Sequence, residues 1–212
     1  MNAIHDPGLF VLAGLLLNLT PGPDMAYIVA RSASGGFRDG AAATLGITAG
    51  CVVHTLAAAL GLSALIAASA TAFTIVKWCG ALYLIYAGIR LLIGSSRARA
   101  DVPAPLLAPA PPVAILREGF VINVFNPKVA LFFLAFLPQF IAADAPGQAL
   151  AFVLLGCLFN FNSLFVNLPV AWLASRAARR LRASARAARV LQGALGAFFI
   201  ALAARLALTE RA

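Results

Sequence analysis

Long apolar runs alternate with short polar interruptions along this chain, and that pattern dominates its 212 residues. A helix crossing a hydrocarbon core of about 30 Å needs about 20 apolar residues. Six such stretches are predicted, at about 8–31, 41–67, 72–94, 115–141, 147–175 and 190–209. Gly35-Gly36 opens the first connection, Ala68-Ser69 and Thr71 mark a tight second, and Asp144 with Pro146-Gly147 marks the fourth. The third, Ser95 to Pro112, holds five of the twelve prolines (Pro103, Pro105, Pro109, Pro111 and Pro112), which favours an extended, mobile linker over a helix.

Two of the six stretches are broken in the middle, by Asn18-Leu19-Thr20-Pro21-Gly22-Pro23-Asp24 and by Asn123-Val124-Phe125-Asn126-Pro127-Lys128. Ions and bare carbonyls are costly in hydrocarbon, so such breaks persist only where protein or a wet cavity covers them. Pro21 and Pro23 lack N–H groups, which deprives the carbonyls of Leu17 and Leu19 of helical donors, and each proline pushes the residue before it out of helical geometry. Pro23 is then placed to start a second half-helix running to Arg31, its positive end facing mid-membrane. In the second break Asn126 is placed to cap, Pro127 to start the half-helix, and the Asn123 carbonyl loses its donor. Two positive helix ends approaching from opposite sides would suit a carboxylate. The plainer reading, that both prolines only kink helices for packing, has to account for the polar residues gathered around both of them. The candidate substrate or ion path therefore comprises Asn18, Thr20, Pro21, Gly22, Pro23 and Asp24 with Asn123, Asn126, Pro127 and Lys128. Asp24 reads either as a first-turn carboxylate stabilised by its own half-helix or by Lys128, or as a group that binds an ammonium or carries a proton.

Three stretches on each side of the linker force the second half to enter the membrane from the opposite face. The predicted fold is thus an all-α integral membrane protein of six transmembrane helices, built as two inverted three-helix repeats (1–94 and 115–212, joined by a cytoplasmic linker at 95–114) with broken helices 1 and 4. A central site at such breaks is the arrangement of secondary transporters.

Composition sharpens this picture. Hydrophobic residues make up 62% and charged residues 11%, with a mean hydropathy of +0.94, which excludes an ordinary soluble domain. A net charge of +9 without a soluble basic domain does not make a nucleic-acid footprint. Twelve of the sixteen basic residues fall in or beside the odd-numbered connections and none in the even ones, so the odd loops are expected in the cytoplasm and both termini outside. Arg176 to Arg189 reads as a topology anchor with anionic-lipid contact as a further use, and Lys77 beside Trp78 as an interfacial snorkelling pair. No Lys or Arg precedes Arg31, so the first segment lacks the basic start of a cleaved signal peptide and is expected to stay.

The remaining polar residues have modest readings. Gly46, Gly50 and Gly61 supply small positions for close helix contact, with His54 on that face as a hydrogen-bonded core histidine in preference to a proton relay. Asn160, Ser163 and Asn167 share a face of the fifth stretch, with Asn162 elsewhere; interhelical hydrogen bonding is their default role, and Asn160 or Asn167 is a secondary candidate for substrate contact. Cys51, Cys79 and Cys157 form neither a disulfide framework nor a metal knuckle and read as packing residues. No Ser/His/Asp set or HExxH is present, and His5 and His54 do not make a metal centre, so neither an enzyme nor a cofactor is expected.

Taken together, these segments resemble the LysE/RhtB amino-acid exporters of bacteria over nearly the whole chain. Asn18-Leu-Thr-Pro-Gly-Pro-Asp24 is similar to the family's N-x-TPGP element, and Gly36 through Gly50 to its glycine-spaced second helix. Lys77-Trp-Cys-Gly-Ala-Leu-Tyr-Leu-Ile-Tyr-Ala-Gly88 resembles its third helix. Gly119-Phe-Val-Ile-Asn-Val-Phe-Asn-Pro-Lys128, through Phe132-Phe and Leu137-Pro-Gln-Phe140, resembles its fourth. The resemblance implies an inner-membrane exporter of amino acids or related metabolites, driven by the proton motive force and forming a homo-oligomer. The Asn-rich fifth stretch departs from the family pattern. A membrane thiol-redox carrier would need paired cysteines on the first and fourth helices, which are absent; a non-transporting scaffold is the remaining rival.

Overall fold

A computed structural model describes residues 3–62, 107–142 and 145–177, with isolated helical positions between 71 and 89. The predicted third and sixth stretches, Lys77 and the arginines beyond Arg176 therefore lie almost wholly outside the described residues. What is described is helical apart from one isolated antiparallel bridge, Ile4 to Ile141.

The first predicted span is two helices, α1 (Pro7–Leu19) and α2 (Pro23–Gly35), bent by 55° at the break. Gly36 alone, at φ +82°, turns the chain into α3 (Phe37–Ala57), a conformation an L side chain resists; the second helix thus starts four residues before its predicted position. It runs on as a π-helical turn at Ala58–Leu62. The fourth span is α4 (Pro112–Val124) followed by α5 (Pro127–Leu131), and α5 continues as a π turn at Phe132–Phe136 and a 3-10 turn at Leu137–Phe140. This pair bends by 47°. Proline opens each of the four half-helices, at the first-turn position where its missing N–H costs nothing. The linker correspondingly ends earlier than predicted, because Pro112 already belongs to α4. The fifth span is α6 (Gln148–Ala177), with Pro169 inside it.

Among the described residues α3 and α6 are each long and apolar enough to cross a membrane, and each bent pair passes the same test as one span. α3 is the hub, packing on α4, α6 and α2. Its contact with α4 is backbone on backbone: a Cβ at Gly46 would collide with the Leu116 carbonyl, and one at Gly119 would lie 2.8 Å from the Ala43 carbonyl. This is the close approach that small residues permit where lipid provides no hydrophobic drive between helices.

Apolar side chains form two separate clusters. One gathers Phe10, Phe132, Phe133, Phe136, Phe140, Phe152 and Phe159 from α1, the α5 extension and the first half of α6. The other, smaller, joins Tyr27, Ile28, Ala42, Ala43, Ile47, Ile115 and Ala171 at the end where the linker arrives. Buried polar residues, among them Thr20, Asp24, Asn123, Asn126, Lys128, Asn162, Ser163 and Asn167, occupy the helix breaks and the middle of α6.

Candidate functional site

The two breaks meet. Thr20 ends α1 in an extended conformation, and its amide and hydroxyl both fold back on the Leu16 carbonyl, at 3.0 and 2.7 Å. That leaves outward-facing carbonyls at the helix end, where partial negative charge accumulates. Lys128, in the first turn of α5, supplies the donor: its Nζ donates to Leu17 O and to Thr20 O, both at 3.2 Å. The carbonyl that Pro21 strips of its helical partner is thus satisfied by an ammonium more than a hundred residues away. Gly22 leaves the space this needs, since a Cβ there would sit 3.2 Å from Lys128 Nζ.

Asp24 lies in the first turn of α2, buried, and its Oδ2 accepts a 3.1 Å bond from Asn123 Nδ2 rather than one from Lys128. Asn126 caps α5 as its position predicts, its Oδ1 accepting from the Lys128 amide at 3.0 Å. The Asn123 carbonyl, freed by Pro127, accepts from the Asn126 amide at 2.9 Å and from His54 Nε2 at 3.0 Å. His54 therefore belongs to the junction, with its ring also against Phe133. α3 can hold it there because Gly50 lets the α4 backbone approach; a Cβ on Gly50 would be 2.8 Å from that of Asn123.

Three polar atoms of this group are buried without a well-formed hydrogen bond: Asp24 Oδ1, Asn123 Oδ1 and Asn126 Nδ2, the Asn126 side chain lying near the Asp24 carboxylate. Buried polar atoms in native proteins are overwhelmingly paired, so a cluster of three marks a place where a water or a ligand belongs. Two acceptors, one donor and a nearby ammonium can together take a small molecule bearing both charges.

The other sequence candidates stand apart to different degrees. The rings of Pro21, Pro23 and Pro127 are exposed, so these residues shape the bends while their polar neighbours face inward. Asn18 returns its Nδ2 to Gly14 O at 2.8 Å. On α6, Asn167 donates to Ser163 Oγ at 3.0 Å within the same helix, and Asn160 has a fourth unpartnered atom, its Oδ1. The cross-helix bond comes from Asn162, read from sequence as lying off the polar face: it is buried and donates to Val11 O at 3.3 Å. Asn162 also lies against Gly14, which leaves room for it.

Sequence reasoning missed a second polar group. Tyr27 and Arg31, one turn apart on α2, face Glu118 on α4. Arg31 Nη2 donates to Glu118 Oε2 at 2.6 Å, Tyr27 OH donates to the same oxygen at 2.8 Å, and Arg31 Nε reaches Tyr27 OH at 3.2 Å. The signal was present: a Tyr and an Arg at i and i+4 on an apolar helix, and one of only seven acidic residues on another.

The chain matches the family model described as LysE type translocator over residues 15–210. It is 30% identical to the homoserine/homoserine lactone efflux protein of Salmonella typhi over 204 residues, 96% of each chain. It is 28% identical to the leucine efflux protein of an Enterobacter species over 198 residues, 93% of each chain. An uncharacterized membrane protein of Pseudomonas aeruginosa is 30% identical over 207 residues, 96% of this chain and 95% of that one. No solved structure matches the chain. The broken-helix motifs lie within the matched region, and the match spans all but the first fourteen and last two residues: this membrane protein belongs to the LysE translocator family.

Proposed function

We propose that this protein is a secondary exporter of amino acids or closely related small metabolites across the bacterial inner membrane, coupled to protons, with its substrate site between the two broken helices. One observation carries this reading: three buried polar atoms without a well-formed hydrogen bond, on Asp24, Asn123 and Asn126, lie where the two breaks meet beside Lys128. Asp24 Oδ1 and Asn123 Oδ1 suit a substrate ammonium, whereas Asn126 Nδ2 and the first-turn amides of α2 suit a carboxylate. Asp24 also carries the coupling proton. The family membership and the efflux relatives, named for leucine and for homoserine and its lactone, support small neutral amino acids as the first substrates to try. The distribution of basic residues supports odd-numbered loops in the cytoplasm.

The test is efflux of a panel of radiolabelled amino acids from loaded cells, with and without the protein, at two external pH values. Faster efflux of at least one compound that slows as external pH rises and the inward proton gradient falls is expected, and Asp24→Asn should abolish it. Equal efflux of every compound would return the chain to a scaffold role.

A further inference from the structure

The group formed by Tyr27, Arg31 and Glu118 is not part of the central site, yet it lies along the seam between that site and the linker. α2 leaves the first break toward the linker end, and α4 arrives at the second break from that same end. The two helices run antiparallel and are tied together in sequence. Asp24 bonds Asn123 at the break; Tyr27 OH, a turn further along, lies 3.0 Å from Ile115 O and 2.8 Å from Glu118; Arg31, another turn on, bonds Glu118. The linker closes over this seam, because Arg31 Nη1 donates to Ala108 O at 3.1 Å and the Leu107 amide donates to Ser34 Oγ at 2.8 Å.

We propose that Tyr27, Arg31 and Glu118 are the linker-side gate of the transport cycle, a clasp that holds α2 against α4 in this closed state and parts to admit substrate to the break. The proposal rests on the exporter reading given above. Its chemistry suits repeated opening. The Arg31 side chain is only 9% exposed whereas that of Glu118 is 50% exposed, so the pair spans the boundary between the packed seam and its surroundings. Parting exchanges hydrogen bonds between the two helices for hydrogen bonds to water, and the apolar cluster beside them, with Tyr27, Ile28 and Ile115, is the smaller of the two. A tie meant only for stability would do as well with apolar side chains, because a buried ion pair rarely outperforms them. The two charges instead give the closed seam a single register, and loss of either partner shifts the balance toward the open one.

The experiment measures sided access. In the full-length protein, with Cys51, Cys79 and Cys157 replaced by Ala, a single reporter is introduced as Thr20→Cys at the first break. A second protein carries Phe37→Cys, an exposed position at the linker end, to identify which face of sealed membrane vesicles presents that end. The rate of modification by a membrane-impermeant thiol reagent is then followed from that face. Glu118→Gln, a near-isosteric change at a half-exposed position, should raise the Thr20→Cys rate about threefold to fivefold by removing the charge from the clasp. The exchanged pair, Arg31→Glu with Glu118→Arg, should return it toward the starting rate. A Thr20→Cys rate that Glu118→Gln leaves unchanged would overturn the gate, even if the exchanged pair alters the rate. Export is scored separately. If Asp24→Asn abolishes efflux while access ignores Glu118, only the gate fails; if Glu118 controls access but no compound is exported, only the exporter reading fails.

Discussion

The two apolar clusters on either side of the break junction are closed by different physics. Toward α5 and the start of α6, closure is aromatic: Phe132 contacts Phe159 at 5.0 Å and Phe136 at 5.1 Å between ring centroids, and Phe10 meets Phe140 edge-on at 5.2 Å. Toward the linker the apolar cluster is thin, and closure depends on the polar seam from Tyr27 to Glu118. Rings packed by area and quadrupole geometry resist being parted, because each exposes a large apolar face. Charged hydrogen bonds at a half-exposed position are directional but exchangeable, so the same separation costs far less there. The molecule therefore has one end built for stability and one built for movement, with the polar junction between them.

Substitutions can break this contrast. The largest effect is expected where α3 and α4 meet backbone to backbone: Gly46→Val drives a side chain into the Leu116 carbonyl and should abolish recovery of monodisperse folded protein, read by size-exclusion chromatography in detergent. Next comes the aromatic end, where Phe132→Ala should cost about 3–5 kcal/mol in unfolding stability, visible as a large fall in Tm. His54→Ala should cost about 1 kcal/mol through the lost bond to the Asn123 carbonyl, and should slow export without unfolding the protein. Glu118→Gln should change stability by less than about 1 kcal/mol, because its charge is half in the surroundings. A Glu118→Gln protein as unstable as Phe132→Ala would erase the distinction between the two ends.

Both breaks were legible in the sequence because proline acts locally: it removes its own N–H and constrains the residue before it, whatever the rest of the chain does. The half-helices, their proline starts and the Asn126 cap follow from that alone. Where the breaks find their partners was not legible. Lys128 was visible as a charge beside a proline, but its bonds to Leu17 and Thr20 depend on how two halves of the chain fold together. Asn162 illustrates the same limit, since helical periodicity sets it off the face shared by Asn160, Ser163 and Asn167, while the packing of α6 on α1 brings it to Val11. Arg31 is one of the basic residues beside the odd-numbered connections, and the positive-inside rule accounts for such residues without a partner. Its partner Glu118 lies 87 positions away.

If substrate binds at the polar junction of the two breaks, as proposed, export depends on the side chains that line it. The decisive measurement is efflux of the compound identified in the panel, at matched protein levels, for Asp24→Asn, Asn126→Ala and, as a control at an exposed position, Leu150→Ala. The first two should lower export by more than tenfold, with protein that still elutes as folded, while the control retains the parent rate. Wild-type export from both junction variants would place the substrate elsewhere.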